Sequence, residues 1–483
     1  MYTKIAKAEP FSGAPKINIA SLFGASPNKD VILRIPATGE RPMTFDAKGL
    51  PEGLSLNGNI ITGKAAKEGS YDVTLIAKNA LGTCEKKVTF EIYAGKVLLT
   101  PLLGFTTWSA FKDRVTEKMY SDTAKALVRH GISEYGYSYV NLDSGWQYKY
   151  GGKLDAIQPN PKFPDMKAMV DGVHALGLKC GIYSTPMLTA WGCPAEYESI
   201  PGCTQGEPDE RFAEMNGGIG IIHKEKNNVL QWAEWGFDYL KYDWDPTDPV
   251  NAEIMRQELL AADRDFGFCV TVNALPCYNS YWSTHCNSYR RNVDAQGFWE
   301  NLLEIYETYI GNENNVNKGH FFDLDMLDIG NSAYSKRPNF MNDDEAVVAY
   351  SMRAFLNSPI QISEDLTEEI SETYLSIYCN EEIIAINQDT KFAPSVFVYR
   401  RDIGSSRLHA FEKELEDGSF AYALFNLGEC EEQIKTELSE ISNIRDVWAK
   451  ENLAFDKELD VTMPAHTVRI FKCDKKAKDF WTK

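Results

Sequence analysis

The 483-residue chain lacks several features that would place it in common protein classes. No apolar run approaches the roughly 20 residues that a membrane-spanning helix needs. No glycine-rich phosphate loop follows a predicted strand, and no histidine or cysteine spacing matches a zinc site. The net charge of −19 argues against nucleic acid or an anionic membrane as the main partner. A neutral small molecule is compatible with that charge.

The beginning of the sequence lacks the apolar segment of a signal peptide, because Met1–Pro10 is polar and carries two lysines. We therefore expect a cytoplasmic protein if the sequence starts as written, and a periplasmic or extracellular one if a leader was removed. The ten cysteines include no CxxC pair, which favours buried free thiols for most of them. Cys193 and Cys203 could form a local disulfide if the protein is exported.

Three regions of the chain differ in hydrophobic pattern. Residues 1–97 contain short alternating segments such as Tyr71–Ala77 between turn residues, which predicts a β-sandwich. Residues 98–390 alternate short apolar strands with amphipathic helices, which predicts a (β/α)8 TIM barrel. Residues 391–483 lose the helical period and predict an antiparallel β-sandwich, with Asp417-Gly418 as a hairpin turn.

The barrel prediction depends on about eight strands and the helices between them. The strands are expected near Leu103 and at 139–143, 180–184, 238–243, 269–273, 289–294, 321–327 and 359–363. Helices are expected over 117–130, over 226–235, and from Pro164 to a stop at Gly177. A doubly wound open sheet is the alternative, but the missing phosphate loop disfavours it.

Polar side chains stand at the predicted carboxyl ends of these strands, where a TIM barrel carries its catalytic groups. They are Trp108, Asp143, Tyr183, Lys241, Asp243, Asn273, Arg290, Asp294 and Asp325. Burying an acid at a strand end costs free energy, so such acids are expected to have a function. Several acids without a metal-ligand pattern indicate acid/base chemistry on a neutral molecule. Glycoside hydrolysis by two carboxylates fits, and it needs no cofactor or metal.

Six segments of the barrel region resemble the α-galactosidases, family 27 of the glycoside hydrolases. They are, in chain order, Gly104-Phe-Thr-Thr-Trp108, Gly177–Ser184, Leu240-Lys-Tyr-Asp243, Asn287-Ser-Tyr-Arg290 with Asp294, Asp323–Asn331 and Glu382–Asp389. Gly49–Gly63 resembles the immunoglobulin-like modules attached to bacterial sugar-active enzymes. For that module we favour a structural spacer over a carbohydrate-binding role.

The resemblance implies a role for each matched residue. Asp243 would be the nucleophile of a retaining mechanism, and Asp294 would be its general acid/base. These roles require opposite protonation, so we expect a low pKa for Asp243 and a raised pKa for Asp294. The implied substrate-binding residues are Trp108, Asp143, Tyr183, Lys241 and Arg290. The expected ligand is an oligosaccharide or glycoconjugate with a terminal galactose-like sugar.

Three positions depart from the family pattern. Ser144 follows Asp143 where the family usually has a second aspartate. Asn273 stands at the end of the fifth strand, where a glutamate usually contacts the sugar. Asp245 replaces a cysteine whose usual disulfide partner would align with Cys193.

The first two departures touch the pocket that selects the sugar, so Ser144 and Asn273 are included among the predicted substrate-binding residues. A terminal α-galactoside is the leading prediction. A β-L-arabinopyranoside and an α-N-acetylgalactosaminide are the alternatives within the family. A catalytically silent carbohydrate-binding relative is the alternative from another class.

Overall fold

The computed structural model describes residues 1–191, 200–438, 441–454 and 458–477. They form an N-terminal immunoglobulin-like region, a central barrel of eight parallel strands and a C-terminal antiparallel sandwich, which confirms the predicted architecture. The domain boundaries at 97/98 and 390/391 stay predictions. In these described ranges no helix is both long and apolar enough to cross a membrane. Cys193 lies outside them, so its pairing also stays a prediction.

The N-terminal region consists of short strands in two larger sheets and one small pair. The four-stranded sheet has the order Leu22–Ala25, Gly82–Ile92, Gly69–Asn79, Thr44–Lys48. The three-stranded sheet has the order Asp30–Arg34, Ile60–Lys64, Leu54–Asn57, and Lys16–Ile17 pairs with Ala37–Thr38. The predicted alternation is confirmed, because Val73, Leu75 and Ala77 are buried in the core of this region.

The barrel strands follow one another around the sheet in chain order. They are Leu103–Thr106, Tyr139–Leu142, Lys179–Ser184, Tyr239–Asp243, Gly267–Thr271, Ser288–Tyr289, Phe321–Phe322 and Ile360–Ile362, and we number them barrel strands 1 to 8. Strand 8 pairs with strand 1, and a parallel bridge between Leu327 and Ile362 closes the remaining gap. The strands present their carboxyl ends at one end of the barrel, as a (β/α)8 fold requires.

Ten helices accompany the barrel strands in the part of the chain that the structure describes. They are Thr107–Phe111, Glu117–Arg129, Met166–His174, Glu225–Trp235, Pro249–Ala261, Asn279–His285, Trp299–Tyr309, Asp343–Phe355, Glu372–Tyr378 and Glu381–Asn387. Two hairpins lie in the barrel loops: Gln147–Gly151 with Ala156–Pro159, and Thr204–Pro208 with Gly220–His223. The helix predicted from Pro164 begins at Met166 instead, because Asp165 is its N-cap and accepts a hydrogen bond from the Ala168 amide.

Three barrel strands end at least two residues earlier than predicted. Strands 5, 6 and 7 end at Thr271, Tyr289 and Phe322. Asn273 and Asp325, which were predicted inside strands 5 and 7, have φ angles of 54° and 65°. A left-handed backbone cannot continue a strand, so both residues lie in the loops above the barrel.

The C-terminal region is an antiparallel sandwich. Its six-stranded sheet has the order Val396–Ile403, Ser406–Glu414, Phe420–Asn426, Thr467–Cys473, Ile444–Asp446, Glu451–Leu453. Glu432–Glu437 pairs with Glu458–Met463 in the second layer. The predicted hairpin turn is confirmed, with Gly418 at a φ of 80° between the second and third strands.

Ion pairs join both flanking regions to the barrel. Glu134 on the barrel is buried and lies 2.5 Å from Arg34 and 3.3 Å from Arg41 of the N-terminal region. His466 of the C-terminal region lies 2.7 Å from Glu345, and its ring stacks on Trp299 at 4.0 Å. These contacts attach both flanking regions to the barrel.

Candidate active site

The fourth barrel strand carries the centre of the site. Lys241 and Asp243 are two residues apart, so their side chains leave the strand on the same side. Lys241 Nζ lies 2.7 Å from Asp143 Oδ2, which follows the second strand. Both side chains are largely buried, and burial opposes the ammonium charge. The carboxylates of Asp143, Asp325 and Asp243 together outweigh burial and raise the pKa of Lys241.

Asp243 lies beside the third strand. The hydroxyl of Tyr183 donates a hydrogen bond of 2.8 Å to Asp243 Oδ2. The other carboxylate oxygen is buried and has no hydrogen-bond partner among the described residues. Tyr183 is itself 1% exposed, so it holds the carboxylate in one position. An oxygen kept free of partners is available to a reacting atom.

Asp294 lies in the loop after the sixth strand, and Arg290 holds it. Arg290 Nη2 donates to Asp294 Oδ1 at 2.7 Å, and the same guanidinium pairs with Asp325 and donates to the Thr271 hydroxyl. Asp325 Oδ2 also accepts a 2.8 Å bond from the amide of Ala295, next to Asp294. The helix that follows begins only at Trp299, so Asp294 is not its N-cap.

The protonation order of the two acids is opposite to the prediction. Burial raises the pKa of Asp243 to about 6, although Lys241 and Arg290 oppose that shift. The charge of Arg290 lowers the pKa of Asp294, whose side chain is 57% exposed. The prediction was wrong for the free protein because burial dominates at Asp243, whereas an adjacent guanidinium dominates at Asp294.

Trp108 lies in the short helix Thr107–Phe111 directly after the first strand, and two neighbours of it were missed by sequence reasoning. Lys112 Nζ lies 4.7 Å from the centroid of the Trp108 ring and 3.8 Å from that of Tyr334. Lys112 could have been noticed because it follows the first matched segment. Tyr334 also closely follows a matched segment, Asp323–Asn331, but the sequence gives no signal that it contacts Lys112.

Ser144 and Asn273 make contacts within the protein. Ser144 is 1% exposed, and its hydroxyl donates to the carbonyl of Trp191. Asn273 Nδ2 donates to Asp245 Oδ1 at 3.1 Å. Both residues that depart from the family pattern, Ser144 and Asn273, are therefore hydrogen-bonded to neighbouring loops. Their predicted contacts with the sugar stay proposals.

A large cavity lies at the other end of the barrel. It has a volume of about 650 Å³ and is lined by all three regions, including Phe23, Leu99 and Leu415. Several of its charged residues pair with each other: Lys16 with Glu381 at 2.9 Å, Arg445 with Glu382 at 2.6 Å and Lys472 with Asp417 at 2.7 Å. Because the amino ends of barrel strands contribute to stability rather than to catalysis, we place the active site at the opposite end.

Family models match each of the three regions of the chain. The family described as "Alpha galactosidase A" matches residues 106–207 and 208–389, and "Alpha galactosidase C-terminal beta sandwich domain" matches 405–473. "Putative Ig domain" matches 16–93. Alpha-galactosidase A of Cellvibrio japonicus is 29% identical over 410 residues, which cover 77% of this chain and 91% of that protein.

Two crystal structures extend the comparison. A "putative alpha-galactosidase/melibiase" from Bacteroides fragilis superposes with a TM-score of 0.85 at 26% identity, over 97% of this chain and 99% of that one. Alpha-galactosidase I from Mortierella vinacea gives a TM-score of 0.67 at 26% identity, over 80% of this chain and 99% of that one. The Bacteroides fragilis structure is thus similar to all three regions together.

The chain folds into an eight-stranded parallel barrel with acids at its carboxyl end, followed by a β-sandwich. Together with these relatives, the fold identifies a glycosidase that hydrolyses O-glycosyl compounds. More narrowly, the chain belongs to family 27 of the glycoside hydrolases and is of the α-galactosidase type, with an immunoglobulin-like module at its N-terminal end.

Proposed function

We propose that the protein removes terminal α-galactoside-type sugars with retention of anomeric configuration, through a covalent intermediate on Asp243. The observation that supports this most is the contrast between the two acids. Asp243 is half-buried, with Oδ1 buried and Oδ2 held by Tyr183, while Asp294 is exposed and held by Arg290. A positioned carboxylate with one buried oxygen suits a nucleophile, and an exposed acid suits proton exchange with a leaving group and then with water.

In the first step, Asp243 attacks the anomeric carbon and Asp294 donates its proton to the leaving oxygen. In the second, Asp294 removes a proton from water, which attacks the same carbon and releases Asp243. Both steps use carboxylates alone. The lysine and arginine beside the acids stabilise negative charge on Asp243 before and after each displacement.

In the free protein the pKa of Asp243 is higher than that of Asp294, and substrate binding would reverse this order. A sugar seated against Asp294 excludes water from a side chain that is 57% exposed in the free protein. Loss of water disfavours the charged form and raises the pKa of Asp294. The same sugar hydroxyls would bond to Lys241 and Arg290, which we assign with Trp108, Asp143, Ser144, Tyr183 and Asn273 to substrate binding.

The test is hydrolysis of aryl glycosides by the full chain and two variants. We expect wild type to hydrolyse an aryl α-D-galactopyranoside, with Asp243→Asn and Asp294→Ala both strongly impaired. Aryl β-L-arabinopyranoside and α-N-acetylgalactosaminide are run in parallel, because activity on one of them instead reassigns the sugar but not the mechanism. Proton NMR of the first-formed sugar should show the retained anomer.

Three outcomes contradict the proposal. Absence of hydrolysis of all three glycosides, with sugar still bound, identifies a catalytically silent carbohydrate-binding relative. Full activity of Asp243→Asn rules out this nucleophile. An inverted first product rules out the covalent intermediate.

A further inference from the structure

Lys112 occupies a position at the barrel mouth that the proposed reaction does not use. It follows the helix that carries Trp108 and has a φ of 53°, a left-handed conformation that is uncommon for a residue with a side chain. With this backbone conformation, Lys112 Nζ lies over the rings of Trp108 and Tyr334. Lys112 therefore belongs to the wall of the site.

The ammonium of Lys112 is under-satisfied in the free protein. Its recorded hydrogen bond is to the Tyr334 hydroxyl, and an ammonium has three donors. Within the described ranges, no carboxylate reaches it as an ion pair, although Asp143, Asp294 and Asp328 act on it from a distance. Burial lowers the pKa of Lys112 to about 8, against the attraction of those acids.

A second cation contacts the ring of Tyr334. The guanidinium of Arg337 is 4.1 Å from the ring centroid of Tyr334. Arg337 Nη1 also donates to Gln296 Oε1 at 3.3 Å, two residues beyond Asp294. Tyr334 thus contacts two cations, Lys112 and Arg337, in a chain whose net charge is −19.

This arrangement, which we call the Lys112–Tyr334–Arg337 wall, lies beside Asp294. The charge of Lys112 contributes to lowering the pKa of Asp294, and the charge of Asp294 contributes to raising the pKa of Tyr334. Under the proposed mechanism, Asp294 protonates the leaving oxygen, so the leaving group passes this wall. A leaving group with an anionic oxygen would accept the free donors of Lys112, and charge-assisted bonds of this kind are the stronger class.

Resting on the proposed function, we infer that the Lys112–Tyr334–Arg337 wall selects substrates whose leaving group carries an anionic oxo group, a carboxylate or a sulfate. Lys112 is the specificity-determining residue, since it is half-buried and under-satisfied. Arg337 is exposed and contributes less.

The test compares three α-D-galactopyranosides in the wild-type full chain: 4-acetylphenyl as the neutral substrate, 4-carboxyphenyl and 4-sulfophenyl. If wild type prefers another glycone, the same three leaving groups are used on it. The readout is the ratio of kcat/KM for each anionic substrate to that for the neutral one. Comparing this ratio between variants cancels the different reactivities of the phenols.

We expect Lys112→Met to lower the ratio about tenfold, as loss of a charge-assisted bond would. Lys112→Arg should keep most of the preference, because it keeps the charge. Lys118→Met is the matched control: it makes the same change in net charge at a side chain that is 86% exposed on the helix Glu117–Arg129. Its ratio should equal that of wild type.

If wild type prefers both the 4-carboxyphenyl and the 4-sulfophenyl substrate, the wall recognises any anionic oxo group. If it prefers one of them, the group recognised is a carboxylate or a sulfate, respectively. Equal ratios in wild type and Lys112→Met, with hydrolysis otherwise normal, overturn this inference alone. Failure of wild type to hydrolyse the neutral substrate with any glycone overturns the proposed function, and the inference with it.

Discussion

Replacing Tyr183 by phenylalanine tests how the protein controls its nucleophile. The substitution removes one oxygen and keeps the ring, so the buried packing is preserved. It also removes the 2.8 Å hydrogen bond to Asp243 Oδ2 and leaves that carboxylate without a recorded side-chain hydrogen bond among the described residues. The ionised form of Asp243 loses more than the protonated form, so its pKa must rise.

The size of the shift follows from the contact. A hydrogen bond to a charged group contributes about 1.5–3 kcal/mol, and about 1.4 kcal/mol corresponds to one pKa unit. We take the lower end, because Lys241 and Arg290 still favour the ionised form in the variant. The pKa of Asp243 should therefore move from about 6 in the free protein to about 7 in Tyr183→Phe.

The assay is the pH dependence of kcat/KM on a dinitrophenyl glycoside. This leaving group needs no proton from Asp294, so the profile reports the ionisation of Asp243 in the free enzyme. Asp243 must be ionised to attack, so activity rises with pH through its pKa. The acidic limb should lie near pH 6 in wild type and about one unit higher in Tyr183→Phe. Tyr120→Phe is the control, since it removes an equally buried hydroxyl that bonds to the Val140 carbonyl. An acidic limb that does not move in Tyr183→Phe refutes the reasoning.

Three further substitutions probe separate parts of the account. Asp294→Ala should lower kcat/KM by about 10²–10⁴ for methyl glycosides but much less for dinitrophenyl glycosides, which need no proton; equal losses would contradict its role as general acid. Glu134→Gln should reduce the free energy of unfolding by about 2–3 kcal/mol, measured by urea denaturation, because two arginines of the N-terminal region lose a buried partner; wild-type stability would show that this contact does not anchor the region. The carboxylates beside His466 raise its pKa despite burial, so its stabilisation is complete below about pH 6.5 and disappears as pH rises through the folded-state pKa. His466→Gln should thus lower stability by about 1–2 kcal/mol at pH 5.5 and by less at pH 9, and a loss independent of pH would contradict the ion pair.

The positions of the two acids could be predicted because each follows a short apolar strand in a repeating β/α pattern. Alternation along a strand also places Lys241 and Asp243 on one side, as the structure confirms. The shortened strands 5 and 7 could not be predicted. Their ends depend on left-handed backbone at Asn273 and Asp325, and neither residue type requires that conformation.

The pKa values of the two acids and the Lys112–Tyr334–Arg337 wall depend on contacts that the sequence does not reveal. The pKa of Asp243 reflects burial by several strands, whereas the pKa of Asp294 reflects one arginine four residues earlier. Lys112 and Tyr334 are 222 positions apart, and neither belongs to a family segment used for the prediction. Such pairs appear only once the loops above the barrel have been placed.

Trapping of the covalent intermediate tests the central claim most directly. The full chain is incubated with 5-fluoro-α-D-galactopyranosyl fluoride, or with the corresponding derivative of the preferred sugar, and digested for mass spectrometry. The account predicts one fluoroglycosyl ester on Asp243, absent from Asp243→Asn. An ester on any other residue, or steady turnover to an inverted product without an ester, would contradict it.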